Sequence, residues 1–155
     1  MNKRLEFENI AIVGMSCKFP DGVNSVEDYW DYIFSGKNVA GAIPPGRWEN
    51  YSIKSDNKKT PDKFKGGFLS EVDTFDAGFF GISPREAKSI DPQQRLLLEV
   101  CWESLEHSGI ALSEIKKNSV GVFIGLSSHE YSVMEGEEQF DGYSLTGNSA
   151  SLASG

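Results

Sequence analysis

The chain has 155 residues, of which 39% are hydrophobic and 12% aromatic, so it is long enough for one globular domain and too apolar for a disordered segment. Its 15 Lys and Arg residues stand against 23 Asp and Glu residues, giving a formal net charge of −8 that disfavours nonspecific binding to nucleic acid or acidic membranes. The sequence shows no apolar leader and no apolar run of membrane length, and its two cysteines, Cys17 and Cys101, lie in apolar contexts. We therefore expect a reducing, cytoplasmic compartment.

The first two predicted elements are a strand and a helix. Residues 10–14 form a short, continuous apolar run that ends at Gly14, which is typical of a strand buried on both faces in a parallel sheet. Ser25 is suited to cap a helix and Gly36 to end it. The hydrophobic residues between them recur at helical spacing: Val26, Tyr29, Trp30, Ile33 and Phe34. This spacing predicts an amphipathic helix.

Residues 37–67 lack hydrophobic periodicity and contain three prolines. We interpret them as a long, ordered excursion over the surface, which Trp48, Tyr51 and Phe64 can anchor. The excursion carries a lysine group, which consists of Lys54, Lys58, Lys59, Lys63 and Lys65. Such a group is typical of a solvated face, and the alternative is a docking patch for an acidic partner.

Two consecutive helices are predicted next. Ser83 and Pro84 begin the first helix, which runs up to Asp91. Asp91 is expected to cap the second helix, Gln94 to complete a capping box three residues later, and Gly109 to end the helix. Apolar residues cover most of this helix and leave a narrow polar strip of Arg95, Glu99, Glu103 and Glu106. We therefore expect the helix to be buried on two or more sides in a layered domain.

A second buried strand is predicted in residues 119–128. An acidic loop follows it, and then a helix of small residues that reaches Gly155 without a signal that would end it. The predicted order is therefore strand, helix, long loop, two helices, strand, loop and helix. This order indicates an α/β layered fold.

The residues alone do not assemble a complete active site. Neither the dinucleotide-binding nor the P-loop glycine pattern occurs, and His107 and His129 lack the neighbouring cysteines or acids of a zinc site. Cys17 follows a strand end, where a nucleophile is the alternative to a small packed thiol; we favour the packed thiol because nothing nearby in sequence would lower its pKa. Cys101 is predicted to be a core residue. Ser128 and His129 are adjacent and point different ways, so we interpret them as loop residues rather than a dyad.

Several segments in this order resemble one family, the β-ketoacyl synthase (ketosynthase) domain of modular polyketide synthases and animal-type fatty acid synthases. The resemblance covers residues 10–155, and it rests on residues 10–20, 66–110, 120–132 and 146–155. It implies the thiolase fold, in which two similar α/β halves are stacked in layers. This chain is then expected to supply an incomplete first half, with residues 1–9 as a lead-in.

The resemblance implies an activity for the parent protein. Family members move an acyl chain from a carrier protein onto a cysteine, and then condense it with a malonyl-type extender while carbon dioxide is released. By resemblance, this cysteine lies in a D-T-A-C-S-S-S-type motif beyond Gly155, and two assisting histidines lie later still. The roles therefore do not pass to Cys17, Cys101, His107 or His129. We predict an acyltransferase, a β-ketoacyl synthase, of which this segment alone is inactive.

The resemblance also implies partners. Two subunits of a homodimer are expected to meet on the segment after the second strand, whose candidates for the dimer surface or pocket wall are Tyr131, Tyr143, Thr146, Gly147 and Asn148. An acidic acyl carrier protein, which bears 4′-phosphopantetheine, is expected to dock on the lysine group, and the remainder of the ketosynthase domain is a further partner. We expect no cofactor or metal on the segment itself, and neither nucleic acid nor membrane as a partner. Two alternatives stay open: the non-catalytic half of a split ketosynthase, and a stand-alone interaction or dimerisation module.

Overall fold

The computed structural model describes residues 9–47, 65–128, 131, 147, 149 and 153–154. Its elements in chain order are α1 (Val26–Ser35), β1 (Gly41–Ala42), β2 (Lys65–Gly66), α2 (Pro84–Ser89), α3 (Pro92–Ser108) and α4 (Leu112–Ile115). Strands β1 and β2 pair antiparallel, with Gly41 opposite Gly66 and Ala42 opposite Lys65. None of the helices in these ranges combines the length and apolar character that crossing a membrane requires.

Helix α1 forms where the sequence predicts it. The Ser25 hydroxyl accepts a hydrogen bond from the Asp28 amide at 3.0 Å, which satisfies one of the free donors of the first turn. Gly36 takes the left-handed conformation with φ of 62°, and its amide donates to the Ile33 carbonyl. Both predicted ends of the helix are confirmed.

Helices α2 and α3 also begin and end as predicted, but the capping box of α3 does not form. The Asp91 carboxylate accepts from the Gln93 amide at 2.8 Å, and Gly109 ends α3 with φ of 67°. A capping box would require the Gln94 side chain to bond the Asp91 amide. That amide instead donates to the Gly147 carbonyl at 3.0 Å, which leaves the Gln94 side chain available for another contact.

The two predicted buried strands are wrong as elements of this structure. Residues 9–14 and 119–128 have neither helical structure nor strand pairing, and Ile10 and Phe123 are each 94% exposed. A strand obtains its backbone hydrogen bonds from neighbouring strands, so an apolar run cannot become a strand alone. Within residues 9–47 and 65–128, the paired strands are β1 and β2 only, and this sheet includes neither predicted strand.

Residues 14–18, which we call the opening segment, pack along α3. A Cβ atom on Gly14 would overlap the Ser104 carbonyl oxygen, so glycine permits this close approach. The Ser16 hydroxyl donates to the Glu103 carboxylate at 2.6 Å. The Lys18 ammonium lies 3.1 Å from Glu103 and 3.4 Å from Glu99. Half of the predicted polar strip of α3 therefore holds the chain's own opening segment.

The apolar residues of α3 are less covered than the sequence predicts. No residue of α3 is buried in the described part of the chain, and Cys101 is exposed, so its assignment to the core is wrong. Trp102 packs edge-on against Phe79 with 4.9 Å between ring centroids. Among the residues that the structure describes, the buried side chains lie outside α3, at Val23, Ile90 and Asp91.

Candidate functional site

The junction between α2 and α3 makes several hydrogen bonds to residues that are distant in sequence. Ile90 breaks the helical path with an extended conformation, and Asp91 then caps α3. Both residues are buried, and Asp91 is only 6% exposed. A break of this kind directs backbone and side-chain donors away from the helix axis, where they can bond a segment that is distant in sequence.

Gly147 lies directly against this junction. It is buried, and a Cβ atom there would overlap the Ser89 carbonyl oxygen and lie 3.0 Å from the Ile90 Cα atom. The close backbone contact allows the Asp91 amide to donate to the Gly147 carbonyl at 3.0 Å. No other residue type fits this position without moving the junction, because every other residue has a Cβ atom.

Two glutamines in the first turn of α3 add side-chain donors to the same contact. The side-chain Nε2 atom of Gln93 donates to the Asp91 carboxylate at 3.2 Å and to the Ser128 carbonyl at 3.0 Å. The Gln94 amide nitrogen donates to the Ser149 carbonyl at 3.1 Å. Carbonyls that are 35 and 55 residues away in sequence are therefore held by adjacent side chains.

Tyr131 completes the contact from the other direction, since its hydroxyl donates to the Lys88 carbonyl near the end of α2 at 3.0 Å. We call this set of bonds the junction clamp. Its members on the helices are Lys88, Asp91, Gln93 and Gln94, and its members on the later segment are Ser128, Tyr131, Gly147 and Ser149. The clamp fixes the later segment at four points.

The structure brings together two of the predicted dimer or pocket-wall candidates, Tyr131 and Gly147, on the junction clamp. Tyr143, Thr146 and Asn148 lie outside the described residues, as do four members of the lysine group: Lys54, Lys58, Lys59 and Lys63. The remaining lysine, Lys65, is exposed on β2. Gln93 and Gln94 were not predicted to make tertiary contacts, although two adjacent side-chain amides in a first helical turn were an available signal.

Cys17 has the environment of a packed thiol. Its Sγ atom donates to the Ser25 carbonyl at 3.2 Å. Burial raises the pKa of the Cys17 thiol, and the nearby carboxylates of Asp28, Glu103 and Glu27 raise it further. The thiolate is the reactive form of cysteine, so a raised pKa opposes nucleophilic chemistry at neutral pH.

The histidine that the structure describes is also engaged in packing. The Nδ1 atom of His107 accepts from the Met15 amide at 3.0 Å, so it serves the opening segment rather than a reacting group. His129 lies outside the described residues. Within the described ranges, no group of three or more His, Cys, Asp or Glu residues could hold a metal ion.

A cavity of about 260 Å³ separates the opening segment from the first turns of α3. Two cationic side chains, Lys18 and Arg95, and two carboxylates, Glu71 and Glu99, line it, so their charges balance. Neither cysteine nor histidine lines it. Lys18 is itself engaged: burial lowers its pKa, but the hydrogen bonds and charges of Glu103 and Glu99 outweigh burial and raise it overall. The cavity therefore offers a balanced polar surface and lacks the thiol or imidazole of a nucleophilic site.

Comparison with known proteins gives the chain a family. Residues 7–155 match the family described as β-ketoacyl synthase, N-terminal domain. The chain is 46% identical over 154 residues to spectinabilin polyketide synthase system protein NorC of Streptomyces orinoci, covering 96% of this chain and 7% of that protein. It is also 46% identical over 154 residues to a pikromycin polyketide synthase component of Streptomyces venezuelae, covering 96% of this chain and 4% of that protein. The chain thus spans less than a tenth of either relative.

Solved structures agree on the fold. The ketosynthase from module 6 of the bacillaene synthase from Bacillus subtilis 168 is 34% identical, with a TM-score of 0.70, covering 92% of this chain and 22% of that chain. An oxazolomycin ketosynthase domain from Streptomyces albus is 32% identical, also with a TM-score of 0.70, covering 90% of this chain and 24% of that chain. The predicted α/β, thiolase-like fold is confirmed, and the chain corresponds to an N-terminal part of it. On the family match and on these likenesses together, the chain belongs to the β-ketoacyl synthase family and is similar to the ketosynthases of modular polyketide synthases.

Proposed function

We propose that this chain is the N-terminal portion of a polyketide-synthase ketosynthase, an acyltransferase that catalyses decarboxylative condensation. Its substrates are a carrier-bound acyl chain and a carrier-bound malonyl-type extender. The single observation that carries the proposal is the family match over residues 7–155. The identity of 46% to polyketide synthase proteins supports the same conclusion.

The proposed reaction has two steps. A cysteine thiolate attacks the carbonyl carbon of the acyl thioester, the bond to the carrier sulfur breaks, and the carrier thiol leaves with a proton. The extender then loses carbon dioxide to form an enolate, whose carbon attacks the acyl-cysteine carbonyl and expels the cysteine thiolate. Two histidines that donate to the enolate oxygen stabilise the developing charge. By resemblance, the cysteine and both histidines belong to sequence beyond Gly155.

Within this scheme, residues 1–155 supply scaffold, part of the subunit surface and part of the acyl-pocket wall. The junction clamp supports that role, because it fixes Tyr131 and Gly147, two candidates for these surfaces. The raised pKa of Cys17 and its bond to the Ser25 carbonyl support the assignment of the nucleophile to another cysteine. No step of the reaction is assigned to a residue of this segment.

The partners follow from the same proposal. An acyl carrier protein presents its 4′-phosphopantetheine thioester, and the lysine group of Lys54, Lys58, Lys59, Lys63 and Lys65 attracts its acidic surface. A second copy of the protein and the remainder of the ketosynthase domain cover other surfaces. Exposed apolar side chains in residues 10–13 and 120–123 support such coverage. They equally favour the second candidate function, a split ketosynthase completed by another polypeptide.

Acyl transfer to protein tests the proposal. The full-length protein and residues 1–155 are each incubated with propionyl-N-acetylcysteamine, and covalent labelling is followed by intact mass. We expect one acyl group on the full-length protein, at a cysteine beyond Gly155, and none on residues 1–155. Stable, stoichiometric labelling of Cys17 would contradict the proposal. A gene that ends at Gly155 and whose product is acylated only after a second polypeptide is added would select the split enzyme.

A further inference from the structure

Gln94 is the third residue of α3, where a capping box would bond its side chain to the Asp91 amide. Here the Gly147 carbonyl accepts from that amide at 3.0 Å. The Gln94 side chain donates instead to the Ser149 carbonyl at 3.1 Å, a bond that is partly buried.

The backbone at Gly147 and Ser149 is therefore held by two donors from one helical turn. The first donor is the backbone amide of Asp91, a residue only 6% exposed, and its position is fixed by the buried junction. The second donor is a side chain, and substitution can remove or lengthen it without altering the helix backbone. Gly147 cannot move closer to the junction, because the Ser89 carbonyl already fills the space beside its Cα atom. The Gln94 bond thus contributes to holding Ser149 against the helix.

We propose that Gln94 is a positioning residue that influences acyl-chain selectivity by holding the backbone at Ser149, next to the contact of Gly147 with the junction. The inference rests on the proposed function, in which Gly147 is a candidate for the wall of the acyl pocket and Ser149 lies two residues after it. A pocket wall discriminates between chains by small displacements, since one methylene group in an apolar pocket changes discrimination by about tenfold or more. We expect the loss of one partly buried hydrogen bond to change the discrimination between acyl chains by roughly fivefold.

The test uses the full-length protein and measures the rate of acylation of its nucleophile by intact mass. The probes are propionyl-N-acetylcysteamine and octanoyl-N-acetylcysteamine, and the quantity compared is the octanoyl-to-propionyl ratio of rates. Gln94→Met keeps the length of the side chain but removes the donor. Gln94→Lys restores a donor of similar reach. Glu106→Gln changes an exposed residue of the same helix that is outside the junction clamp and serves as the control.

We expect Gln94→Met to shift the ratio by about fivefold, and Gln94→Lys and Glu106→Gln to keep it within about twofold of the unsubstituted protein. A purely structural role would slow both probes equally, and an unchanged ratio in Gln94→Met would overturn the inference. If Gln94→Met does not fold, Gln94→Glu, which also lacks a donor, decides by the same ratio. If the unsubstituted protein is acylated by neither probe, the proposed function fails. If it is acylated and the ratios agree, only the role of Gln94 fails.

Discussion

The α2–α3 junction and the two apolar extended segments, residues 10–13 and 120–123, show opposite outcomes for equally clear sequence signals. At the junction, cap residues and helix formers produce the predicted helices, and Ile90 is 8% exposed. In the extended segments, the most apolar runs of the chain remain unpaired, with Ile12 80% and Phe123 94% exposed. A helix satisfies most of its backbone hydrogen bonds locally, whereas a strand depends on neighbours that are distant in sequence.

The difference separates what residues 1–155 can stabilise by themselves from what they present to other parts of a larger domain. The junction clamp closes over chain separations of up to 56 residues, from Asp91 to Gly147, with hydrogen bonds inside the segment. The extended segments have no pairing partner within the ranges that the structure describes. Their exposure is consistent with a chain that spans 22% of a solved ketosynthase.

The largest expected effect is at Gly147, where a substitution tests whether the α2–α3 junction is tightly packed. Gly147→Ala places a Cβ atom on the Ser89 carbonyl and displaces the bond from the Asp91 amide, so we expect a loss of about 3 kcal/mol of unfolding free energy. Gly125→Ala is the matched control, since a Cβ atom there meets nothing within 4 Å. It should change the free energy by less than about 1 kcal/mol. Urea unfolding measures both, and equal values would show that the junction is not tightly packed.

Sequence reasoning predicted the locally determined features of the fold correctly. The caps at Ser25, Ser83 and Asp91 and the ends at Gly36 and Gly109 all follow from residue types at fixed offsets. The exposure of Cys101 could not be predicted, because an apolar helical position indicates that burial is favourable without saying which part of the chain provides it.

The candidate site was only partly predictable for a related physical reason. Tyr131 and Gly147 entered through the family resemblance, and the structure places both on the junction clamp. The capping-box prediction for Gln94 was wrong because a carbonyl 56 residues after Asp91, that of Gly147, competes for the same amide. A local rule cannot anticipate such a competitor, since the competing group is brought close only by the tertiary fold.

An intermediate effect is expected at Lys18, which ties the opening segment to α3. Its pKa is raised overall by Glu103 and Glu99, although burial alone would lower it. A raised folded-state pKa means that the stabilisation is complete below the unfolded value of about 10.4 and is lost as the pH rises through the folded value. We therefore expect Lys18→Met to lower the unfolding free energy at pH 7 by about 1 kcal/mol, and the difference from the unsubstituted chain to shrink above about pH 10.4.

Lys117→Met is the control for Lys18, because the ion pair of Lys117 with Glu114 is solvent-exposed, with 66% and 59% side-chain exposure. Such a pair contributes less than about 0.5 kcal/mol, so its removal should have little effect at any pH. Unfolding free energies at pH 7 and pH 11 provide the comparison. A Lys18→Met difference that persists unchanged at pH 11 would show that packing of the Lys18 side chain, and not its charge, holds the opening segment.

The smallest effect on stability is expected in the extended segments, and there a second property should change instead. Phe123 is 94% exposed within one chain, so Phe123→Asp removes almost no area that is buried in the monomer. At a dilution where residues 1–155 are monomeric, it should alter the unfolding free energy by less than about 0.5 kcal/mol. The same substitution places a charge in an exposed apolar run that must otherwise find a partner. Sedimentation should therefore show residues 1–155 as a dimer or larger assembly, and Phe123→Asp should shift this species toward monomer.

Val23→Ala, at a side chain only 4% exposed, should show the reverse pattern, with about 2 kcal/mol of lost stability and unchanged association. A loss of more than about 1.5 kcal/mol in Phe123→Asp, a cost typical of core positions, would place Phe123 in the core and remove the contrast between the two regions.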